Sequence, residues 1–172
     1  MHEGEPLVRR IAAAAVEAGA DPVVVVLGAN AALIAPVLDG LASVNTVVNE
    51  DWSNGLASSL VRGLSAVLEE AACDAVLVTL ADQPLVDAAA LRRLMAAFGG
   101  ERRIVASAYD DTMGVPAVFA REHVADLMRL TGDAGAGAWL RSRANEVTCV
   151  PLDVAAVDID TPSDTAHLGP LS

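Results

Sequence analysis

The run Val76-Leu77-Val78-Thr79-Leu80-Ala81 stops abruptly at Asp82-Gln83-Pro84, and no other stretch constrains the fold so strongly. A near-continuous apolar run with β-branched residues reads as a strand covered on both faces, the mark of a parallel sheet. Asp87 is then placed to cap the helix that follows. In open α/β sheets, ligands gather beyond the carboxyl ends of the strands. Asp82 falls at that address, where a carboxylate suits a hard cation bound through oxygen. Capping a turn is the other reading of the same residue, and spacing alone leaves both open.

The rest of the chain alternates in the same manner. Pro6 opens a helix that Gly19 can end, with Leu7, Ile11, Ala14 and Ala15 at helical spacing. The run Val23 to Leu27 reads as a buried strand, and Asn30 as the cap of a short helix to Leu38 that Pro36 disturbs. A strand is expected over 43–49, a helix over 56–70, a helix over 88–98 and a strand over 104–108. Extended chain around Pro116, helices over 121–130 and 133–143, and strands over 147–150 and 157–160 follow, before Thr161-Pro162 opens a last helix. Such alternation predicts an α/β fold, a three-layer sandwich around a mostly parallel sheet, and a single domain over 1–172.

Composition bounds the function classes. A formal net charge of -12 on 172 residues argues against wrapping nucleic acid or adhering to an anionic membrane. The apolar segment from Val23 to Leu38 is broken by Gly28, Asn30 and Pro36, so it does not read as a membrane span. Met1 to Glu5 lacks the basic lead-in of a signal peptide. Cys73 and Cys149 lie far apart and read as small buried hydrophobes in a reducing cytosol, the expected compartment. The chain contains no Lys: all 11 basic residues are Arg.

Three places can carry chemistry. Asp158 and Asp160, if extended, share one face of a strand end, and either can join Asp82 around a divalent cation. Asp160 equally reads as support for the Thr161 cap. Gly55-Leu56-Ala57-Ser58-Ser59 places two hydroxyls at a helix N-terminus, where free N–H groups attract anions or the polar edge of a base, and where Ser is also an ordinary cap. Trp52 reads as a lid on its own domain rather than over a ligand. His2, His123 and His167 form no metal-ligand spacing, and no Ser/His/Asp order supports a nucleophilic serine.

Five stretches in order resemble the MobA-like nucleotidyltransferases, most closely the molybdenum cofactor cytidylyltransferase branch. They are 21–29 (DPVVVVLGA), 49–60 (NEDWSNGLASSL), 81–86 (ADQPLV), 132–136 (GDAGA) and 158–164 (DIDTPSD). The resemblance implies a Rossmann-like sheet and transfer of CMP from CTP, or of another nucleotide from its NTP, onto a molybdopterin-type cofactor phosphate, with release of pyrophosphate. It implies Mg²⁺ held by Asp82 and Asp160, which are the catalytic positions, and nucleotide contacts from Asn49, Gly55, Ser58 and Ser59. An alternative reading is a non-catalytic nucleotide- or partner-binding domain that serves a molybdoenzyme or its chaperone.

Two features depart from the family pattern. The family opens with a strand and a loop of the form LAAGxSxRMGxxK, whereas Gly4-Glu5-Pro6-Leu7 matches the segment after it, and Gly114-Val115-Pro116 stands where Gly-His-Pro is common. The family strand lies between those matching Val23–Leu27 and Ala75–Leu80, so two apolar strands are expected to keep unpaired edges. A start assigned too far downstream is the expected explanation, and a true remnant is the other. With no ammonium group to meet the β- and γ-phosphates, this sequence is expected to bind Mg²⁺-CTP weakly; tight binding in calorimetry would contradict that.

Overall fold

The computed structural model describes residues 5–157. The chain begins with α1 (Leu7–Ala18), β1 (Val23–Leu27), a single helical turn α2 (Ala31–Ile34) that tightens into a 3-10 turn at Ala35–Leu38, and β2 (Val44–Val48). Pro36 sits in the tightened turn, as a residue that cannot extend the α-helical ladder must. Asn30 takes a left-handed conformation and makes no side-chain cap. The chain continues through α3 (Leu56–Glu70), β3 (Ala75–Val78), α4 (Ala88–Ala97), β4 (Ile104–Tyr109) and β5 (Thr112–Ala120). It closes with α5 (Arg121–Leu127), α6 (Ala136–Ser142) and β6 (Thr148–Pro151). Asp158, Asp160 and the helix expected from Thr161 lie outside the described residues.

The strands form two sheets. β1 and β2 pair in parallel, and the other sheet has the order β3-β5-β4-β6. β5 is antiparallel to both its neighbours, while β4 and β6 are parallel. β4 and β5 are joined through Asp110 and Asp111, both at positive φ, the conformation that suits a two-residue hairpin.

Alternating side chains sort the larger sheet into two faces. Val105 and Val118 pack with Ile11, Ala15, Leu91 and Leu94 of α1 and α4. Ile104, Ala106, Ala117 and Phe119 pack with Leu64, Val124, Leu127 and Leu140 of α3, α5 and α6. The architecture is therefore the expected α/β sandwich of three layers. Asp87 caps α4 as read from the sequence: its Oδ1 accepts the Ala90 N–H at 2.8 Å.

Three readings are corrected. Val24, Val25 and Val26 are only half-buried, because one edge of β1 has no neighbouring strand among the described residues. The regular strand β3 ends at Val78, two residues before Leu80. Cys149 is exposed rather than buried, while Cys73 is half-buried; both are free. Replacing Asp87 with Ala is expected to destabilise the fold by about 1 kcal/mol, the usual value of an N-cap, read as a lower midpoint in urea with an unchanged slope.

Candidate functional site

Asn49 follows β2 directly and is almost completely buried. Its Nδ2 donates to Ser58 Oγ at 2.9 Å and to Ser59 Oγ at 3.0 Å, and its Oδ1 accepts the Asp51 N–H at 3.1 Å. One amide thus ties the end of a strand to the first turn of α3. Ser58 Oγ also lies 2.8 Å from Gly55 O and 3.0 Å from Asp51 O, either of which can take its proton. Ser59 Oγ, by contrast, has no acceptor for its proton among the described residues, and Ser59 faces a cavity. A buried polar side chain that satisfies two hydroxyls and a backbone amide is costly to replace.

Gly55 belongs to this arrangement through its backbone. Its φ is 100°, and a Cβ there would collide with the backbone of Gly132 and approach Asp133 Oδ1 to 2.8 Å. Gly132 O in turn accepts the Ala57 N–H at 3.0 Å. At Gly135 a Cβ would come within 2.6 Å of Leu56 Cδ2, the end of a half-exposed side chain that can turn aside. The 49–60 and 132–136 stretches, far apart in sequence, therefore meet at the N-terminus of α3. Trp52 covers Gly28 at the end of β1 while remaining half exposed, in keeping with a lid on its own domain.

Asp82 lies in the turn after β3 and is half-buried. The neighbouring Gln83 anchors that turn: its buried Nε2 donates to Val115 O at 3.1 Å and to Ala155 O at 2.8 Å. Leu80 and Ala81 line the same cavity as Ser59, Asp133 and Arg141. The structure thus brings Asn49, Gly55, Ser58 and Ser59 into one network and places the turn bearing Asp82 on the wall of the adjoining cavity. Asp160 lies outside the described residues.

Sequence reasoning missed three participants. Thr79 Oγ1 and Gln83 Oε1, flanking Asp82 in the chain, are buried without a hydrogen-bond partner, and nothing in their spacing signals that. Arg141 is the one basic residue among the described residues that line the cavity; with no Lys in the sequence, Arg was the side chain to look for beside an anion.

Among the described residues, no group of three or more His, Cys, Asp or Glu can hold a metal ion. Asp82, Thr79 Oγ1 and Gln83 Oε1 are all oxygen donors, however. Oxygen is the donor a hard cation such as Mg²⁺ takes, with one or two carboxylates and a shell completed by water and substrate phosphate, and the Asp82 carboxylate is of that kind.

A profile of the MobA-like NTP transferase domain matches residues 1–147. Nicotine blue oxidoreductase of Paenarthrobacter nicotinovorans is 32% identical over 171 residues, covering 93% of this chain and 81% of that protein. Rv0371c of Mycobacterium tuberculosis H37Rv is 30% identical, with a TM-score of 0.73 over 94% of this chain and 82% of its own. Its crystallised complex with manganese gives 29% and 0.69, over 94% and 84%. A nucleotidyl transferase from Methanothermobacter shares the fold at 24% identity, with a TM-score of 0.79 over 97% of this chain and 80% of its own.

Among the described residues, no helix is long and apolar enough to cross a membrane. Replacing Gly55 with Ala is expected to destabilise by more than about 2 kcal/mol, because it combines a left-handed φ with a backbone collision. Chemical denaturation checks this; a loss below half that value would mean the Gly132 contact relaxes freely.

Proposed function

The chain belongs to the MobA-like NTP transferase family, and on that premise we propose that it transfers a nucleotidyl group, CMP from CTP, to the phosphate of a molybdopterin-type cofactor, releasing pyrophosphate. The observation that carries this reading is the Asn49–Ser58–Ser59 network at the α3 N-terminus, beside a cavity whose opposite wall leads to Asp82. The site collects at the carboxyl ends of β2 and β3, where α/β sheets bind ligands.

In this reading the base rests against the first turn of α3. The Ser59 hydroxyl and the helix N-terminal amides meet its polar edge, and Asn49 holds both serines in place. Arg141, at the cavity wall, offers a guanidinium to the phosphates. Asp82 and Asp160 would hold a divalent cation, whose role is to neutralise the triphosphate and favour in-line displacement at the α-phosphorus. The protein contributes position and charge; no side chain need act as a nucleophile. The manganese complex of Rv0371c supports a divalent metal in a relative.

A second reading is favoured by the cavity's having Arg141 as its one basic lining residue among the described residues: a domain that binds nucleotide or a partner protein, such as a molybdoenzyme or its chaperone, without turnover. The name of the relative from Paenarthrobacter nicotinovorans is that of an oxidoreductase, so family membership alone does not fix the reaction.

The test is pyrophosphate release from CTP, GTP and ATP with Mg²⁺ or Mn²⁺ and molybdopterin as acceptor. The transferase reading expects metal-dependent turnover that prefers CTP, reduced at least about 100-fold in Asp82→Ala and more weakly in Arg141→Gln. Saturable nucleotide binding with no pyrophosphate would establish the second reading instead.

A further inference from the structure

The chain between β3 and α4, residues 79–87, forms neither helix nor strand, so no ladder of backbone bonds fixes where Asp82 points. Among the described residues, one backbone bond lies within this loop, from Val86 N–H to Gln83 O at 3.2 Å. Asp82 stands at the edge of burial. Ala81 before it is exposed, while Gln83, Pro84 and Val86 after it are buried. A carboxylate on such a loop needs side chains from elsewhere to set its position.

Two long-range contacts supply this. Gln83 Nε2 donates to Val115 O of β5 at 3.1 Å and to Ala155 O, in the 3-10 turn Asp153–Ala156, at 2.8 Å. Both protons of the amide are used. The two carbonyl acceptors also fix which end of the amide faces them, since Oε1 there would set oxygen against oxygen. Gln83 is 3% exposed, and its Oε1 is buried without a hydrogen-bond partner. For stability alone, an apolar side chain of like volume would avoid that cost; what the amide adds is direction. The other contact comes from Arg10 of α1, whose Nε donates to Pro84 O at 2.9 Å. Gln83 and Pro84 directly follow Asp82, so both anchors act within two residues of the carboxylate.

We propose that Gln83 and Arg10 are positioning residues: a clamp, with one arm on β5 and the Asp153–Ala156 turn and the other on α1, that holds the Asp82 carboxylate in place for a divalent cation. This rests on the reading of Asp82 as a metal ligand. Neither side chain is itself a ligand; each acts through the backbone of the loop. Charge separates the two arms. Gln83 is neutral, whereas a guanidinium near the site opposes a cation, so Arg10 favours the cation only by holding the loop. Partners that orient metal ligands in this way are worth about 10- to 100-fold in metal affinity. Ala155 shortly precedes Asp158 and Asp160 in the chain, so the Gln83 amide also ties the Asp82 loop to the segment leading to those residues.

The test is Mn²⁺ titrated into the full chain without nucleotide, the free ion being followed by electron paramagnetic resonance, in the wild-type protein and in Gln83→Met, Arg10→Met and Asp82→Asn. Both positioning variants are expected to keep the wild-type circular dichroism spectrum and to bind Mn²⁺ about 10- to 100-fold more weakly. A purely structural role would lower the melting temperature and leave the affinity of the folded protein unchanged; that result in Gln83→Met overturns the proposal. Equal or tighter binding in Arg10→Met overturns it too, being the sign that charge alone would give. Should Gln83→Met fail to fold, Arg10→Met decides by the same criterion. Asp82→Asn tells the two failures apart. Wild-type affinity there defeats the metal assignment and the clamp with it, whereas loss of Mn²⁺ there with wild-type affinity in the other two variants defeats the clamp alone.

Discussion

Among the described residues, the two halves of the central layer are not joined by backbone pairing; helices packed across the gap between β1 and β3 hold them together. α1 bridges it with Arg9, which bonds Val37 O at 2.7 Å and Asp39 O at 3.0 Å beyond β1, and with Arg10, which bonds Pro84 O at 2.9 Å in the turn after β3. On the other face, α3 is tied to β2 through Arg62 and Asn45, while Leu64 packs into the core of the larger sheet. Apolar burial and a few side-chain bonds thus replace a ladder of strand bonds. Backbone groups on such edges are satisfied by water or left to bond what enters.

The candidate site inherits this construction. Its two walls belong to different sheets: the Asn49–Ser58–Ser59 network hangs from β2, and the Asp82 turn hangs from β3, with Gln83 fixing the latter to β5 and to Ala155. Their separation is therefore set by how α1 and α3 pack rather than by a shared strand. Catalysis by positioning is sensitive to displacements of about 1 Å, so the packing of these two helices also sets the geometry of the site.

Much of this was legible in the sequence because the signals were local. Apolar runs bounded by Gly and Pro placed the strands, Asp87 marked the start of α4, and Pro36 forecast the broken turn after α2. The ordered motifs pointed to the family and to an unpaired gap. What could not be read was long-range. Asn49 shows no spacing that predicts a bond to both serines; the meeting of Gly55 with Gly132 depends on how loops fold over α3; the buried oxygens of Thr79 and Gln83 reveal themselves only through missing partners. The antiparallel course of β5 was equally hidden, since a strand's direction lies in its connections and not in its side chains.

Hydrogen exchange resolved to single amides tests the split sheet most directly. Within β1, the account predicts slow exchange at Val23 and Val25, whose N–H groups face β2, and fast exchange at Val24 and Val26; within β3, slow at Val76 and Val78 and fast at Ala75 and Leu77. Uniform protection along both strands in the monomeric protein would show that the gap is closed, and the account of both fold and site would fall with it.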